Sequence, residues 1–282
     1  VIFCPSALVP PFSSTPLVMT IFDLTPLRFG GTQDPISRQY ATAMLRLGAR
    51  RSAAICTISS AVRDEIVARF PTVPPGSVHV AYPGPNPELL AAPDTRPSIP
   101  DHPFVLMVGT VEPRKNHITA VRALAEHCRR RPASPLILVA AGSAGWRYEP
   151  VDRAISELGL SERVIRIGNV EPGTLKWLYR RATALLFPSL YEGFGLPVLE
   201  ALSLECPVVA SRIPSVAEIT GDGAMLLEPT DVPGWTAALA AVEDGRGWGL
   251  SPAAGLERAR RFTWDGCAES ALAAISAAIA PS

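Results

Sequence analysis

From residue 104 onward, short and nearly unbroken apolar runs alternate with segments of helical spacing, and this alternation is the narrowest constraint on the fold. FVLMVG (104–109), PLILVAA (135–141), RVIRIG (163–168), TALLFP (183–188), CPVVAS (206–211) and AMLLEP (224–229) read as strands. A strand apolar on both faces is covered on both faces, which is the condition of a parallel sheet sandwiched by helices. The intervening segments 117–130, 150–159, 171–181, 197–204 and 214–220 carry helical periodicity. Strand–helix alternation at this interval gives right-handed crossovers and an α/β, doubly wound, Rossmann-like domain over 104–261. Ligands of such sheets bind at the carboxyl ends of the strands.

The first 90 residues repeat the theme with fewer strands. PLVMTIF (16–22), AAICTIS (53–59) and SVHVAYP (77–83) read as strands, as does the opening VIFC; 35–51 and 60–70 read as helices. Asp34-Pro35 suits the start of the earlier helix, and Ser59 or Ser60 the cap of the later one. Proline-dense PGPNPELLAAPDTRPSIPDHP (83–103) then connects two domains, with the linker proper at 91–103. The expected organisation is a shortened first domain (1–90), a linker, a second domain (104–261) and a closing helix (262–282). The first domain is expected to be incomplete at its N-terminus.

Composition narrows the function classes. The 26 basic and 26 acidic side chains cancel, which argues against a nucleic-acid binder. No apolar run approaches the roughly 18–20 residues of a membrane span. The five scattered cysteines, Cys4, Cys56, Cys128, Cys206 and Cys267, are expected to be reduced thiols of a cytoplasmic protein, and no metal-ligand spacing links them.

The most specific motif is SLYEGFGLPVLEAL (189–202), between a strand and a helix. Gly193 and Gly195 permit a tight turn whose N–H groups approach a ligand, and Pro197 suits the first helical turn. A helix N-terminus attracts phosphate or a polar sugar. Glu192 and Glu200 place two carboxylates at either side of that turn, where they can accept hydrogen bonds from hydroxyl pairs. Alone, Glu200 also reads as an acidic residue complementing the helix dipole; the joint pattern is the specific one. The second motif, VGTVEPRKNHITAVRAL (108–124), follows the first strand of the same domain. Arg114 and Lys115 can neutralise a diphosphate ahead of a helix that Asn116 can cap, and a solvated basic pair is the plainer alternative.

Together with RIGNV (166–170), PVVASRIPSVAEITGDGAMLLEPTD (207–231), TISSAVRDEI (57–66), VAYPGPNPEL (80–89) and FTWDGCAESAL (262–272), these motifs resemble the retaining GT-B glycosyltransferases of the group 1 or family 4 type. The likeness is to the EPRKN subgroup, mannosyltransferases of polysaccharide assembly among them. The resemblance implies two Rossmann-like domains, the first binding an acceptor and the second a nucleoside diphosphate sugar, with the last helix packing back toward the first. It implies hexosyl transfer to a saccharide or lipid-linked acceptor, without a metal or other cofactor, in the cytoplasm or in peripheral contact with a membrane.

Residue by residue, the resemblance implies that Lys115 and Arg114 hold the donor diphosphate and that Glu192 contacts the transferred sugar. Backbone groups of Gly193, Phe194, Gly195 and Leu196 would lie beside it. Glu200 would bind the ribose, Gly168, Asn169 and Val170 would line the base pocket, and Gly109 and Thr110 would belong to the donor-binding set. Asp23 would stand on the acceptor side. Two positions depart from the family's pattern: Phe22 precedes Asp23 where members often carry a histidine, and Thr110 follows Gly109 where many carry arginine. Alternatives are a sugar-nucleotide-binding remnant without catalysis and a GT-B sugar-nucleotide epimerase.

Plainer readings cover the rest. His79, His102, His117 and His127 read as packing or surface residues, His117 being notable for adjoining the phosphate loop. Arg129-Arg130-Arg131 ends a helix, where cations favour the dipole. Arg46, Arg50 and Arg51 read as a solvated face, a membrane surface being the alternative. Trp146, Trp177, Trp235, Trp248 and Trp264 are expected to pack.

Overall fold

A computed structural model of the chain describes residues 1–28, 35–245 and 251–279. Among these residues ten strands and twelve α-helices follow in order. They are β1 (Ile2–Cys4), β2 (Leu17–Ile21), α1 (Thr25–Arg28), α2 (Pro35–Arg51), β3 (Ser52–Thr57), α3 (Ser60–Arg69), β4 (Val78–Val80) and α4 (Pro87–Ala91). Next come β5 (Phe104–Val108), α5 (His117–Arg130), β6 (Ile137–Ala141), α6 (Glu149–Glu157), β7 (Val164–Gly168), α7 (Pro172–Arg181), β8 (Ala184–Phe187) and α8 (Leu196–Ser203). The last are β9 (Val208–Ser211), α9 (Pro214–Thr220), β10 (Met225–Leu227), α10 (Val232–Glu243), α11 (Pro252–Ala259) and α12 (Trp264–Ile279). All strand pairings are parallel among the described residues.

Contacts divide the chain into two units: Val1–Gly84 with Glu192–Phe194 and Phe262–Ser282, and Pro85–Tyr191 with Gly195–Arg261. The first unit holds a four-stranded sheet in the order β1-β2-β3-β4. One face of this sheet carries Met19, Ile21 and Ile55 against Val62 and Ile66 of α3 and Leu45 of α2. The other face presents Val18, Ala54 and Cys56 to Ala274 and Ala278 of α12, where small side chains let helix and sheet approach closely. Ser59 caps α3, its side chain accepting from the Val62 N–H. The expected Asp34 cap of α2 lies outside the described residues.

The second unit is a six-stranded sheet in the order β10-β9-β8-β5-β6-β7. Renumbered within the unit, this is the doubly wound 3-2-1-4-5-6 arrangement read from its other edge. β6, β8 and β9 are buried at every position, as strands covered on both faces are. On one side α5 and α10 pack together through Ala120, Val121 and Leu124 against Trp235 and Leu239. The helix α10 went unread in the sequence, as did α11 and α4.

The proline-rich segment after β4 carries α4, and Asn86 caps it by accepting from the Glu88 N–H. Lys176 of α7 donates to the carbonyls of Leu90 and Ala92, and the Thr95 N–H donates to the Gly173 carbonyl. The five cysteines are free thiols. Trp235 is 1% exposed and donates its Nε1–H to the Glu228 carbonyl, and Trp177 stacks on Phe104. Trp146 and Trp264 depart from the packing expected of them, at 41% and 49% exposed; Trp248 lies outside the described residues. The arginine run at the end of α5 is paired: Arg129 and Arg130 with Glu126, and Arg131 with Glu243 and Asp244.

Candidate functional site

In the second unit β5 and β8 are neighbours, yet the chain leaves β5 toward β6 and leaves β8 toward β9. Their following loops therefore diverge at the carboxyl ends of the strands, the place where ligands of open α/β sheets bind. The loops are 109–116 and 188–195, which are the two sequence motifs.

The loop after β5 begins at Gly109, with φ +127°, a conformation side chains other than hydrogen rarely adopt. A Cβ there would lie 3.4 Å from Cε of Lys115, so glycine at this point also leaves room for the lysine stem. Pro113–Lys115 form one 3-10 turn, and Asn116 follows in the left-handed region at φ 54°. The turn throws Lys115 over the ring of Phe187 at the end of β8, its Nζ 5.1 Å from the centroid. Lys115 therefore stands where the two loops part.

Arg114 braces the loops to each other. Its Nη1 donates to the Tyr191 carbonyl at 3.0 Å, its Nη2 pairs with Glu112 at 2.7 Å, and its carbonyl accepts from the Leu190 N–H. Asn116 adds a second tie. Its Nδ2 donates to the carbonyls of Pro188 and Pro229, and its Oδ1 accepts from the Thr119 hydroxyl. Asn116 occupies the N-cap position of α5 but makes no side-chain cap bond, so the capping expected of it is replaced by this tie.

The helix α8 starts after Gly195, and no side chain caps it. The Val198 and Leu199 N–H groups donate to the Gly195 carbonyl and Pro197 has none, so this N-terminus offers the Leu196 N–H and the positive end of the dipole. Glu200 is the fifth residue of the helix, past the first turn, so complementing the dipole does not account for it. It is 8% exposed, and its Oε2 accepts from the Tyr179 hydroxyl at 3.0 Å. Burial raises its carboxyl to about 7 against the opposing effect of the Tyr179 bond. Tyr179, on α7, escaped the sequence reading; a tyrosine inside an apolar helix face signals a buried phenol in search of a partner.

At the end of β7, Gly168 has φ +68° and gives its carbonyl to the Gly142 N–H, while Asn169 is exposed and Val170 half-buried. Thr110 is half-buried beside Gly109. His117, the first residue of α5, is 4% exposed, and among the described residues neither ring nitrogen has a hydrogen-bond partner. Burial, then the charges of Lys115 and Arg166, lower its pKa to about 4, so it is neutral at physiological pH.

In the first unit, Glu192 is 9% exposed and the Gly193 carbonyl accepts from Ser59 Oγ at 2.6 Å. A Cβ on Gly193 would meet the Phe22 carbonyl oxygen at 2.1 Å and Cβ of Asp23 at 3.0 Å, so only glycine fits. The Phe22–Asp23 pair and the Glu192–Phe194 turn are thus neighbours. Phe22 is 50% exposed, and Asp23 accepts from the Thr25 N–H through Oδ1. Phe194 is buried in a cluster with Tyr82 and Phe262. Ser59, read as a cap alone, does two jobs: it caps α3 and anchors the turn.

Residues 94–259 match the family described as Glycosyl transferases group 1. The chain is 37% identical over 171 residues to the O-antigen chain mannosyltransferase B of Escherichia coli, covering 58% of this chain and 43% of that protein. It is 32% identical over 269 residues to the D-inositol 3-phosphate glycosyltransferase of Nocardia farcinica, covering 89% of this chain and 57% of that protein. It thus spans about half the length of these curated relatives. The fold is similar to that of Anabaena Alr3699/HepE solved in complex with UDP-glucose, with a TM-score of 0.75 and 20% identity over 93% of this chain and 72% of that one.

Proposed function

Because the chain belongs to the group 1 glycosyltransferases, we propose that it transfers a hexosyl group from a nucleoside diphosphate sugar to an acceptor hydroxyl. The setting proposed is polysaccharide or glycoconjugate assembly, with mannose as the sugar to test first, in keeping with the mannosyltransferases among its relatives. The observation that carries this reading is the seat of Lys115 where the loops after β5 and β8 diverge, beside an uncapped helix N-terminus.

In this reading the diphosphate lies against Lys115 and the positive end of α8, and Glu200 accepts from the ribose hydroxyls. Glu192 contacts the sugar, Gly168–Val170 border the base, and Asp23 faces the acceptor. Arg114 acts chiefly by holding the loops, since its guanidinium is engaged by Glu112 and Tyr191. In the reaction the bond from the anomeric carbon to the diphosphate oxygen breaks, and the acceptor oxygen bonds to that carbon. The acceptor proton passes to the departing diphosphate, whose growing negative charge Lys115 and the helix dipole stabilise without a metal. Attack from the face of departure retains the anomeric configuration.

A donor-binding protein without catalysis is the second reading, and Phe22 favours it: half exposed at the edge of the turn, its ring offers no hydrogen bond to a sugar. Labelled nucleoside diphosphate mannose and glucose, assayed with saccharide and lipid-linked acceptors, separate the two. Transfer of label supports the enzyme; donor binding with neither transfer nor hydrolysis supports the remnant. Lys115→Ala is expected to lower turnover by about 10²–10³-fold while leaving the melting temperature nearly unchanged. Undiminished turnover removes Lys115 from the mechanism.

A further inference from the structure

Tyr179 and Glu200 form a buried donor–acceptor pair between α7 and α8. Tyr179 is fully buried, so it reaches no ligand itself, and its hydroxyl lies 3.0 Å from Glu200 Oε2. The other oxygen, Oε1, makes no hydrogen bond among the described residues and retains contact with solvent. A carboxylate offers about four lone-pair sites, and here the protein uses one oxygen and leaves the other open. A carboxylate anchored at one oxygen keeps a single direction for the second. Resting on the reading of Glu200 as acceptor for the donor's ribose, we propose that Tyr179 is a positioning residue: its phenol holds Oε2 and directs Oε1 to the hydroxyl pair.

The electrostatics agree in direction. Burial drives the Glu200 carboxyl up to about 7, and the phenol hydrogen bond pulls it down. Among the described residues the titratable groups facing the pair are each other and the thiol of Cys206, which burial pushes up to about 12 and so keeps neutral. Removing the phenol oxygen leaves burial unopposed, and the carboxyl then ionises only at higher pH.

The test is calorimetric binding of UDP and of GDP to the full chain between about pH 6 and 8.5, spanning the titration of a carboxyl near 7. In the wild-type protein affinity is expected to rise as pH climbs through about 7, as Glu200 ionises. Tyr179→Phe is expected to weaken binding about tenfold near neutrality, the loss of one hydrogen bond to a charged group, and to displace the rise to higher pH. The 2′,3′-dideoxy nucleotides are expected to bind wild type and variant alike.

Glu200→Gln separates the two levels of the argument, and is expected to bind weakly with no rise. If it does so while Tyr179→Phe superimposes on wild type, the positioning role is overturned and the Glu200 reading stands. If Glu200→Gln binds as wild type does, with the same pH dependence, the Glu200 reading is overturned and the inference with it. Should Tyr179→Phe not fold, 3-fluorotyrosine at position 179 replaces it. This more acidic phenol strengthens the bond, so the rise is expected at lower pH, and an unmoved profile overturns the proposal.

Discussion

Asn116 joins three segments that are far apart in sequence. Its amide bridges the loop after β8 and the turn at Pro229, and its backbone sits at φ 54°. These contributions are separable. Asn116→Gly keeps the left-handed backbone without strain and loses the side-chain bonds, a cost of about 1–3 kcal/mol for carbonyls left unpaired. Asn116→Ala adds about 1 kcal/mol for placing a Cβ residue in that region. The expected order in urea unfolding is wild type, then Gly, then Ala; an Ala variant as stable as the Gly variant contradicts the strain component. In sequence, Asn116 read as a helix cap, because capping is what asparagine does locally before a helix. Which carbonyls its amide reaches depends on loops 72 and 113 positions away.

At the scale of elements, the α12–sheet interface in the first unit is made of small side chains. Ala274 is fully buried against Val18, Ala54 and Cys56. Ala274→Leu forces three extra carbons into that contact and is expected to destabilise by about 1–3 kcal/mol, whereas the exposed Leu272→Ala is expected to be nearly neutral. Thermal melts compare the two, and equal melting temperatures refute the close-packing account. The strands of both units and helices such as α5 were legible because their burial is one-sided or complete in a regular period. Helix α10, VPGWTAALAAVE, was not, since Trp235, Ala238, Leu239, Ala241 and Val242 are all buried and no polar stripe marks its turns. The short α4 hid in its prolines, which suit a first helical turn as readily as a linker.

At the scale of the whole molecule, two buried groups give stability opposite pH slopes. His117 falls from 6.5 to about 4 on folding, so the unfolded chain binds the extra proton between those values. Its contribution, about 3 kcal/mol when complete, is present above 6.5 and is lost as pH falls toward 4. Glu200 rises from 4.5 to about 7, so the folded state binds the extra proton. Its contribution, of similar size, is present below 4.5 and is lost as pH rises toward 7. The lowered pKa of His127, where burial outweighs the nearby Glu243, adds to the histidine slope. Between about pH 4.5 and 6.5, Glu200→Gln is therefore expected to steepen the gain of stability with rising pH, and His117→Leu to reduce or reverse it. Urea midpoints across that range test both, and variants parallel to wild type refute the assignment.

By itself the sequence determined the parallel α/β architecture, since runs apolar at every position admit no solvated face. It also marked the two loops of the candidate site, because glycine, proline and charge at strand ends carry their chemistry locally. The strand order, and with it the seat of Lys115 over Phe187, was decided only in three dimensions: which strand lies beside β5 is a matter of long-range packing. The partners of Arg114, Asn116 and Glu200 were decided in the same way. A hydrogen bond to a distant carbonyl or phenol leaves no periodic trace along the chain, because it depends on where the fold brings the second group.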